Sequence, residues 1–350
     1  CWGYGVEGQI GDGEEITRGY PAHVLRGLAM DGDHDGTYLT NIKEVESGRY
    51  HSCALSNNGN VYCWGNGNVL GSATTTRNHV PVRTSAGEAV VGDHDGTYLT
   101  NIKSISVGYR HTCAVSSNDN IYCWGANDWG QLGDNTIIAK DTPTRVLQGA
   151  AVSGDCDGNY LTNIKSVGVY AYHACAISNN DNIYCWGSNG SGGRLGNATT
   201  TDSLIPVRPL AGEAVDGDHD GTYLTNIKII SDGDRTIHTC VISNNSNIYC
   251  WGDNAYGKVG RYGTFLSPAR PTKGEAVTGD HDGTFLNNIK SLDTSYVSAC
   301  AVSNNDNVDC WGYGVEGQIG DGEEITRGYP AHVLRGLAMD GDHDGTYLTN

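Results

Sequence analysis

The tripeptide Cys-Trp-Gly stands at residues 1, 63, 123, 185, 250 and 310, so the chain is a series of units of about 62 residues, with spacings of 62, 60, 62, 65 and 60. A period of this length constrains the fold more than any composition can, because each unit buries its apolar faces only against its neighbours. Residues 1–350 therefore read as one repeat array rather than as separate domains. A second identity is laid over the first: residues 310–350 match residues 1–41 at every position, at an offset of 309. A duplicated five-unit block, a 309-residue superperiod, or one stretch read twice in a periodic object would each produce it. The superperiod would place Ile at position 351. The chain opens at Cys1 inside one copy and stops at Asn350 inside another, so the expectation is a segment cut from a longer periodic polypeptide.

Every unit runs in the same order. Cys-Trp-Gly leads to a Gly-rich turn, clearest as Gly130-Gln-Leu-Gly-Asp134. A polar loop and a Pro-containing strand such as Val80-Pro-Val-Arg83 follow, then an acidic insert, Gly92-Asp-His-Asp-Gly-Thr-Tyr-Leu-Thr-Asn101. A short strand, Ile102–Ser106, closes the unit before His111–Gly125. That last stretch reads as a β-hairpin. Setting Cys113 opposite Cys123 places Ala114 against Tyr122 and Val115 against Ile121, and leaves Ser117, Asn118 and Asp119 as a three-residue loop. Such loops want a residue at positive φ. The first copy has Gly59 there, and other copies have Asp or Ser. Val, Ile, Tyr and Trp fill the strands, as suits a pleated surface. No stretch sustains helical spacing of apolar residues over three turns. The class is all-β.

At Gly130–Asp134, His111-Thr-Cys-Ala-Val115 and Tyr122-Cys-Trp-Gly125 the chain resembles the regulator of chromosome condensation repeat family, and is most similar to its secreted, cysteine-containing prokaryotic branch. The resemblance implies β-propeller-type blades, each a four-stranded sheet of roughly fifty to sixty residues, often about seven to a ring. It implies binding rather than catalysis: nucleotide exchange on a small GTPase, chromatin docking, or inhibition of secreted enzymes. The acidic insert lengthens each blade beyond that pattern, and the unit count fits a seven-bladed ring poorly. A closed propeller and an open superhelical array of blades both remain compatible with the sequence.

Five Cys pairs recur with nine residues between partners: Cys53/Cys63, Cys113/Cys123, Cys175/Cys185, Cys240/Cys250 and Cys300/Cys310. Opposed residues of an antiparallel pair lie ~4.5–5.5 Å apart at Cα, within disulfide reach. Each bridge would contribute roughly 2.5–3 kcal/mol by chain entropy. Zinc is the rival, since a His stands two residues before the first Cys in four pairs. The spacing departs from that of zinc sites, and Ser298 replaces the fifth His. Disulfides imply an oxidising, extracellular or cell-surface setting. Cys1 and Cys156 are left over.

The acidic insert is the candidate for chemistry. Asp31-Gly-Asp-His-Asp-Gly36 has the alternating carboxylates of a calcium loop. The full pattern stands at Asp31/Asp33/Asp35, Asp216/Asp218/Asp220 and Asp340/Asp342/Asp344. Its ninth position is Leu39 or Leu224, where a loop ligand is wanted, so Ca2+ competes with a plain solvated acidic turn followed by Tyr-Leu packing. Sequons at Asn189, Asn197 and Asn244 are candidate glycosylation sites. Catalysis has no singular constellation to rest on, because the His and Asp residues recur at equivalent places in every unit. The chain reads as a non-enzyme.

A net charge of −18 opposes nucleic acid, whose phosphates need cations, and opposes an anionic membrane surface. No apolar run is long enough to span a bilayer. The functional expectation is an extracellular structural repeat protein whose main partner is itself, forming a fibre, filament or surface appendage. The alternative is a secreted closed propeller that binds a surface protein or glycan as an adhesin or enzyme inhibitor, with a calcium-dependent adhesion array as a variant.

Overall fold

The computed structural model describes residues 1–190, 192–231, 233 and 235–334. The insert carrying Asp340, Asp342 and Asp344 lies outside the described residues. Twenty strands form five four-stranded antiparallel sheets, each a blade built in sequence order. Blade I holds β1 (Ile42–Ser47), β2 (His51–Ser56), β3 (Val61–Gly65) and β4 (Asn78–Arg83). Blade II holds β5 (Ile102–Val107), β6 (His111–Ser116), β7 (Ile121–Gly125) and β8 (Lys140–Arg145). Blade III holds β9 (Ile164–Val169), β10 (His173–Ser178), β11 (Ile183–Gly187) and β12 (Ser203–Val207). Blade IV holds β13 (Ile227–Ile230), β14 (His238–Ser243), β15 (Ile248–Gly252) and β16 (Phe265–Ala269). Blade V holds β17 (Ile289–Thr294), β18 (Ser298–Ser303), β19 (Val308–Gly312) and β20 (Arg327–His332). Helix is confined, among the described residues, to two single 3-10 turns at Gly67–Val69 and Ala255–Gly257.

The hairpin has the register its residues dictate. Cys113 pairs with Cys123, Ala114 with Tyr122 and Val115 with Ile121. Ser116 N–H then donates to Asn120 C=O at 2.9 Å, and Asp119 takes φ 64° in the loop. Asp181, Ser246 and Asp306 accept the same left-handed backbone, and Gly59 does so without a Cβ to crowd. The ladder between the third and fourth strands slips at the Gly of each Cys-Trp-Gly, as between Cys123 and Gly125. Gly125 sits at φ 105°, where a Cβ would stand 2.6 Å from Arg110 O. Only Gly permits that bulge.

The core lies between blades rather than within them. Cys113, Val115, Ile121, Leu132 and Val146 of blade II pack with Leu161, Ile164, Val169, Ala174 and Trp186 of the next unit. Within blades I to IV every residue of the central strands β2, β3, β6, β7, β10, β11, β14 and β15 is buried. Among the described residues the two ends of the array are less buried than its middle. Val45 is 52% exposed at the first blade, whereas its counterparts Ile105 and Val167 are 3% and 7% exposed. At the other end Cys300, Val302 and Val308 are only half-buried, although Cys113, Val115 and Ile121 are fully buried.

Candidate binding surfaces

The acidic insert is solvated along most of its length but anchored inside by one carboxylate. Its middle carboxylates, Asp33, Asp93, Asp155, Asp218 and Asp280, are all 0% exposed. Burying a charge is costly unless hydrogen bonds replace its water, and the following hairpin supplies them. Around Asp218, Asn226 Nδ2 and Asn245 Nδ2 donate to Oδ1 at 2.8 Å. Ser243 Oγ, Asn247 Nδ2 and Tyr249 Oη donate to Oδ2, also at 2.8 Å. Residues 243, 245, 247 and 249 are alternate positions of one hairpin, so a single edge turns toward the carboxylate. Burial alone would raise Asp218, yet the donors Asn247, Ser243 and Tyr249 hold it below the usual carboxylate range. Burial, with the partner carboxylate, pushes the Tyr249 hydroxyl well above its ordinary range, so it remains a donor.

The third carboxylate faces the opposite way. Asp220 Oδ1 accepts the N–H groups of Thr222 and Tyr223 at 3.0 and 2.8 Å, closing the turn. Its Oδ2 pairs at 2.9 Å with Arg208, which follows β12 of the preceding blade and lies over the Tyr223 ring at 4.3 Å. Arg83, Arg145 and Arg270 hold Asp95, Asp157 and Asp282 in the same way. The four inserts carrying Asp95, Asp157, Asp220 and Asp282 are thus straps, tied by one Asp to the blade behind and by another to the blade ahead. The first Asp of the pattern points to solvent, with Asp31 and Asp216 side chains fully exposed. Asp31, Asp33 and Asp35 diverge, as do Asp216, Asp218 and Asp220. Among the described residues no three His, Cys, Asp or Glu side chains stand where they could share a metal ion.

Each of the five Cys pairs is disulfide-bonded across the central hairpin of its blade. Cys53 is bonded to Cys63 in blade I, Cys113 to Cys123 in blade II and Cys175 to Cys185 in blade III. Cys240 is bonded to Cys250 in blade IV and Cys300 to Cys310 in blade V. The Cα–Cα distances are 4.0–4.2 Å, shorter than the ~4.5–5.5 Å of an ordinary antiparallel pair. The second cysteines, Cys63, Cys123, Cys185, Cys250 and Cys310, all lie on the third strand beside the buried Trp. They are buried with it, and no thiolate is left for zinc, which removes that alternative. His51, His111, His173 and His238 instead stack through the array's interior at 0% exposure, with His51 Nε2 2.7 Å from Thr112 Oγ1 and His173 Nε2 2.9 Å from Thr239 Oγ1. Burial pushes His51, His111 and His238 down to about 3. Cys1 and Cys156 are half-buried free thiols.

The three sequons fare differently. Asn189 is 0% exposed: its Oδ1 accepts Leu195 N–H at 2.9 Å and its Nδ2 donates to Thr199 O at 2.8 Å. That amide shapes the Gly-rich turn and leaves no room for a glycan, which corrects the expectation there. Asn197 is half-buried, and its Oδ1 accepts from Asn189 and Thr199. Asn244 is exposed, with Nδ2 donating to Asp181 and Asn226 at 2.9 Å.

One contact recurs at every junction. The Trp of Cys-Trp-Gly enters the Gly-rich turn of the unit before it. Trp64 Nε1 donates to Gln9 O, Trp186 to Gln131 O, Trp251 to Arg194 O and Trp311 to Lys258 O, at 2.8–2.9 Å. Trp124 enters the turn at Gly71 without that bond. A Cβ on Gly196 would stand 2.8 Å from Trp251 Nε1, so the turn's glycines are the socket wall. Trp64, Trp124, Trp186, Trp251 and Trp311 are 0% exposed, whereas Trp2 is 67% exposed. Conversely, among the described residues the turn at Gly317–Gly320 holds no Trp: a Cβ on Gly320 would meet Val333 at 3.1 Å, where one on its counterpart Gly11 would meet Trp64 Nε1 at 2.8 Å.

A concave surface lies where the turns between first and second strands meet. A cavity of about 330 Å3 is lined by Arg49, Tyr109, Tyr172, Arg194, Arg235 and Tyr296, among others. It adjoins one of about 730 Å3 that Arg49 and Arg235 also line, with Trp2, Tyr4 and Tyr50. Arg49 lies 5.1 Å from the centres of both the Tyr50 and Tyr109 rings and donates to Tyr109 Oη. Neither the repeat nor the motifs reveal this cluster, because Arg49, Tyr109, Tyr172, Arg235 and Tyr296 occupy the least regular turn of each unit and Arg194 joins them from a Gly-rich turn.

The pattern described as the regulator of chromosome condensation (RCC1) repeat matches residues 42–71, 102–131, 164–192 and 238–258, and a second form of it matches 58–115 and 118–177. The chain is 27% identical over 347 residues to the Ultraviolet-B receptor UVR8 of Arabidopsis thaliana, covering 97% of this chain and 66% of that protein. It is 27% identical over 246 residues to the E3 ubiquitin-protein ligase HERC2 of Homo sapiens, covering 68% of this chain and 4% of that one. Among solved structures it is similar to human WBSCR16, with a TM-score of 0.66 at 18% identity, over 95% of this chain and 78% of that one. Yeast RCC1 (Prp20), solved with Kap60 bound, gives 0.52 at 18% identity over 97% and 84%. These structural likenesses speak to the fold alone.

Proposed function

This chain belongs to the regulator of chromosome condensation repeat family, and for it we propose a non-enzymatic structural role outside the cell, as an array that extends by end-to-end packing into a filament. The observation that carries the reading is the junction between units. The same Trp-in-glycine-turn contact is made at five successive places, and each end of the described array presents one half of a further contact. Among the described residues Trp2 is an unseated key, and the turn at Gly317–Gly320 is an unfilled socket. A repeat unit of the same kind fits each end. The disulfide in every blade supports an oxidising compartment. A binding role, the alternative, is supported by the concave surface around Arg49. The relatives' light reception and ubiquitin ligation belong to proteins of which this chain covers only part.

Sedimentation velocity tests the reading. The unaltered chain is expected to form a concentration-dependent ladder of species. Trp2→Ser removes the key, and Gly317→Asn, which tolerates positive φ, puts a side chain where the incoming unit's fourth strand would seat, as His79 and Leu204 seat against Gly8 and Gly130. Each variant alone should stay monomeric, and an equimolar mixture should stop at dimers. A chain that remains monomeric at all concentrations, or variants that still form the ladder, would overturn the proposal.

A further inference from the structure

We propose that the cavity between Arg49 and Arg194 binds a uronate residue of an acidic glycan, its carboxylate on the guanidinium groups and its ring on the tyrosines. The site is independent of the filament reading. The chain carries 40 acidic and 22 basic residues. Even so, no carboxylate lines either of the two adjoining cavities among the described residues. The surface is therefore locally cationic on an acidic molecule, which focuses small anions there.

The arginines are arranged to receive a carboxylate. Arg49 is exposed and held over two rings, and its bond from Nη1 to Tyr109 Oη orients the guanidinium while Nε and Nη2 have no acceptor among the described residues, which suits a two-point acceptor. Arg194 lies 5.8 Å from the Tyr172 ring centre and gives Nη1 to Ser188 Oγ at 2.7 Å, while its buried Nε has no hydrogen-bond partner. The Nε groups of Arg83, Arg208, Arg261 and Arg270 are unpartnered in the same way, so what calls for an anion is the pair of guanidinium groups lining one cavity that has no carboxylate in its walls among the described residues.

The walls favour a polar ring over an apolar one. Tyr109, Tyr172 and Tyr296 line the cavity, whereas Ala171 and Ile237 are its only aliphatic residues among those described. Tyrosine offers a flat C–H-accepting face together with a hydroxyl, which suits a hydroxylated ring. A volume of about 330 Å3 is at the small end of ligand sites, and Arg49 leads into the larger cavity beside Tyr50, where further sugars of a chain would lie. Nucleic acid is disfavoured by the net charge of −18.

Calorimetric titration of the Gly317→Asn chain, in which polymerisation does not interfere, with oligogalacturonate tests the assignment. Binding is expected, weakened about tenfold or more by Arg49→Gln and less by Arg49→Lys. Arg49 is exposed, so neither change threatens folding, and Tyr109→Ala supplies a second variant on the ring side. Equal binding of neutral oligogalactose would remove the arginines from the mechanism. Equal binding of oligoglutamate would remove the sugar ring. Either result, or no binding of oligogalacturonate, overturns the proposal.

Discussion

At the scale of single residues, the middle Asp of each insert is the most consequential group. Asp218 satisfies five side-chain donors, and Asp218→Ala would strand the three buried ones, Ser243, Asn247 and Tyr249. A stranded buried donor costs about 1–3 kcal/mol, so we expect a loss of about 3 kcal/mol or more in urea unfolding, with Asp218→Asn also destabilising because its amide meets donors. Chelation by EDTA should leave the melting temperature unchanged, since the carboxylate's partners are Asn, Ser and Tyr; a fall of several degrees would restore calcium to the insert. The four interior histidines set the acid limb. Burial lowers His51, His111 and His238 to about 3 and holds His173 well below its ordinary value. Their unfolded counterparts titrate at about 6.5, so the unfolded chain binds more protons below that pH. Stability is complete above about 6.5 and falls as pH drops toward 3. Asp33, Asp155 and Asp218, also held low, add a further loss below about 4. A melting temperature that does not change between neutral pH and pH 5 would contradict this.

At the scale of elements, the hairpin and the strap are two different solutions. The hairpin is local. Its cysteines face each other across ten residues of sequence, and β-branched and aromatic residues alternate with them. Replacing both Cys113 and Cys123 by Ser should cost about 2–5 kcal/mol and leave the fold intact, as judged by unchanged far-UV circular dichroism and a lower melting temperature; reduction with dithiothreitol, which also opens Cys53–Cys63, Cys175–Cys185, Cys240–Cys250 and Cys300–Cys310, should lower it further. The strap acts over longer distances. Asp93 meets Tyr122 at a separation of 29 residues, and Asp95 meets Arg83 twelve residues earlier, so one insert fastens two blades. The pairing of cysteines and the loop residue at positive φ were legible because both depend on neighbours in sequence. The burial of Asp93 was not. Its signature, Ser116, Asn118, Asn120 and Tyr122 at alternate positions, gains meaning only when the insert folds back over the hairpin.

At the scale of the whole molecule, the array's continuity rests on one Trp socket per unit together with the straps. Both act between units, so removing one should loosen a junction rather than one blade. Among the described residues five junctions are filled, Trp2 is unseated and the turn at Gly317–Gly320 is unfilled, and growth by addition is the expectation tested by the Trp2→Ser and Gly317→Asn mixture. The arginine–tyrosine cavity also belongs to this scale, because Arg49, Tyr109, Tyr172, Arg194 and Tyr296 come from five successive units.

The sequence by itself determined the repeat, the all-β hairpin, the cysteine pairing and the family, since each follows from a period or from contacts closed within about a dozen residues. Tertiary structure alone decided which carboxylates are buried, that the sequon at Asn189 is inside a turn, that Trp2 is exposed where its counterparts are seated, and that cations and tyrosines converge. Those outcomes depend on how one unit is rotated and seated against the next. A repeat pattern states that such an interface exists, but the side chains that meet across it are fixed only when the blades pack.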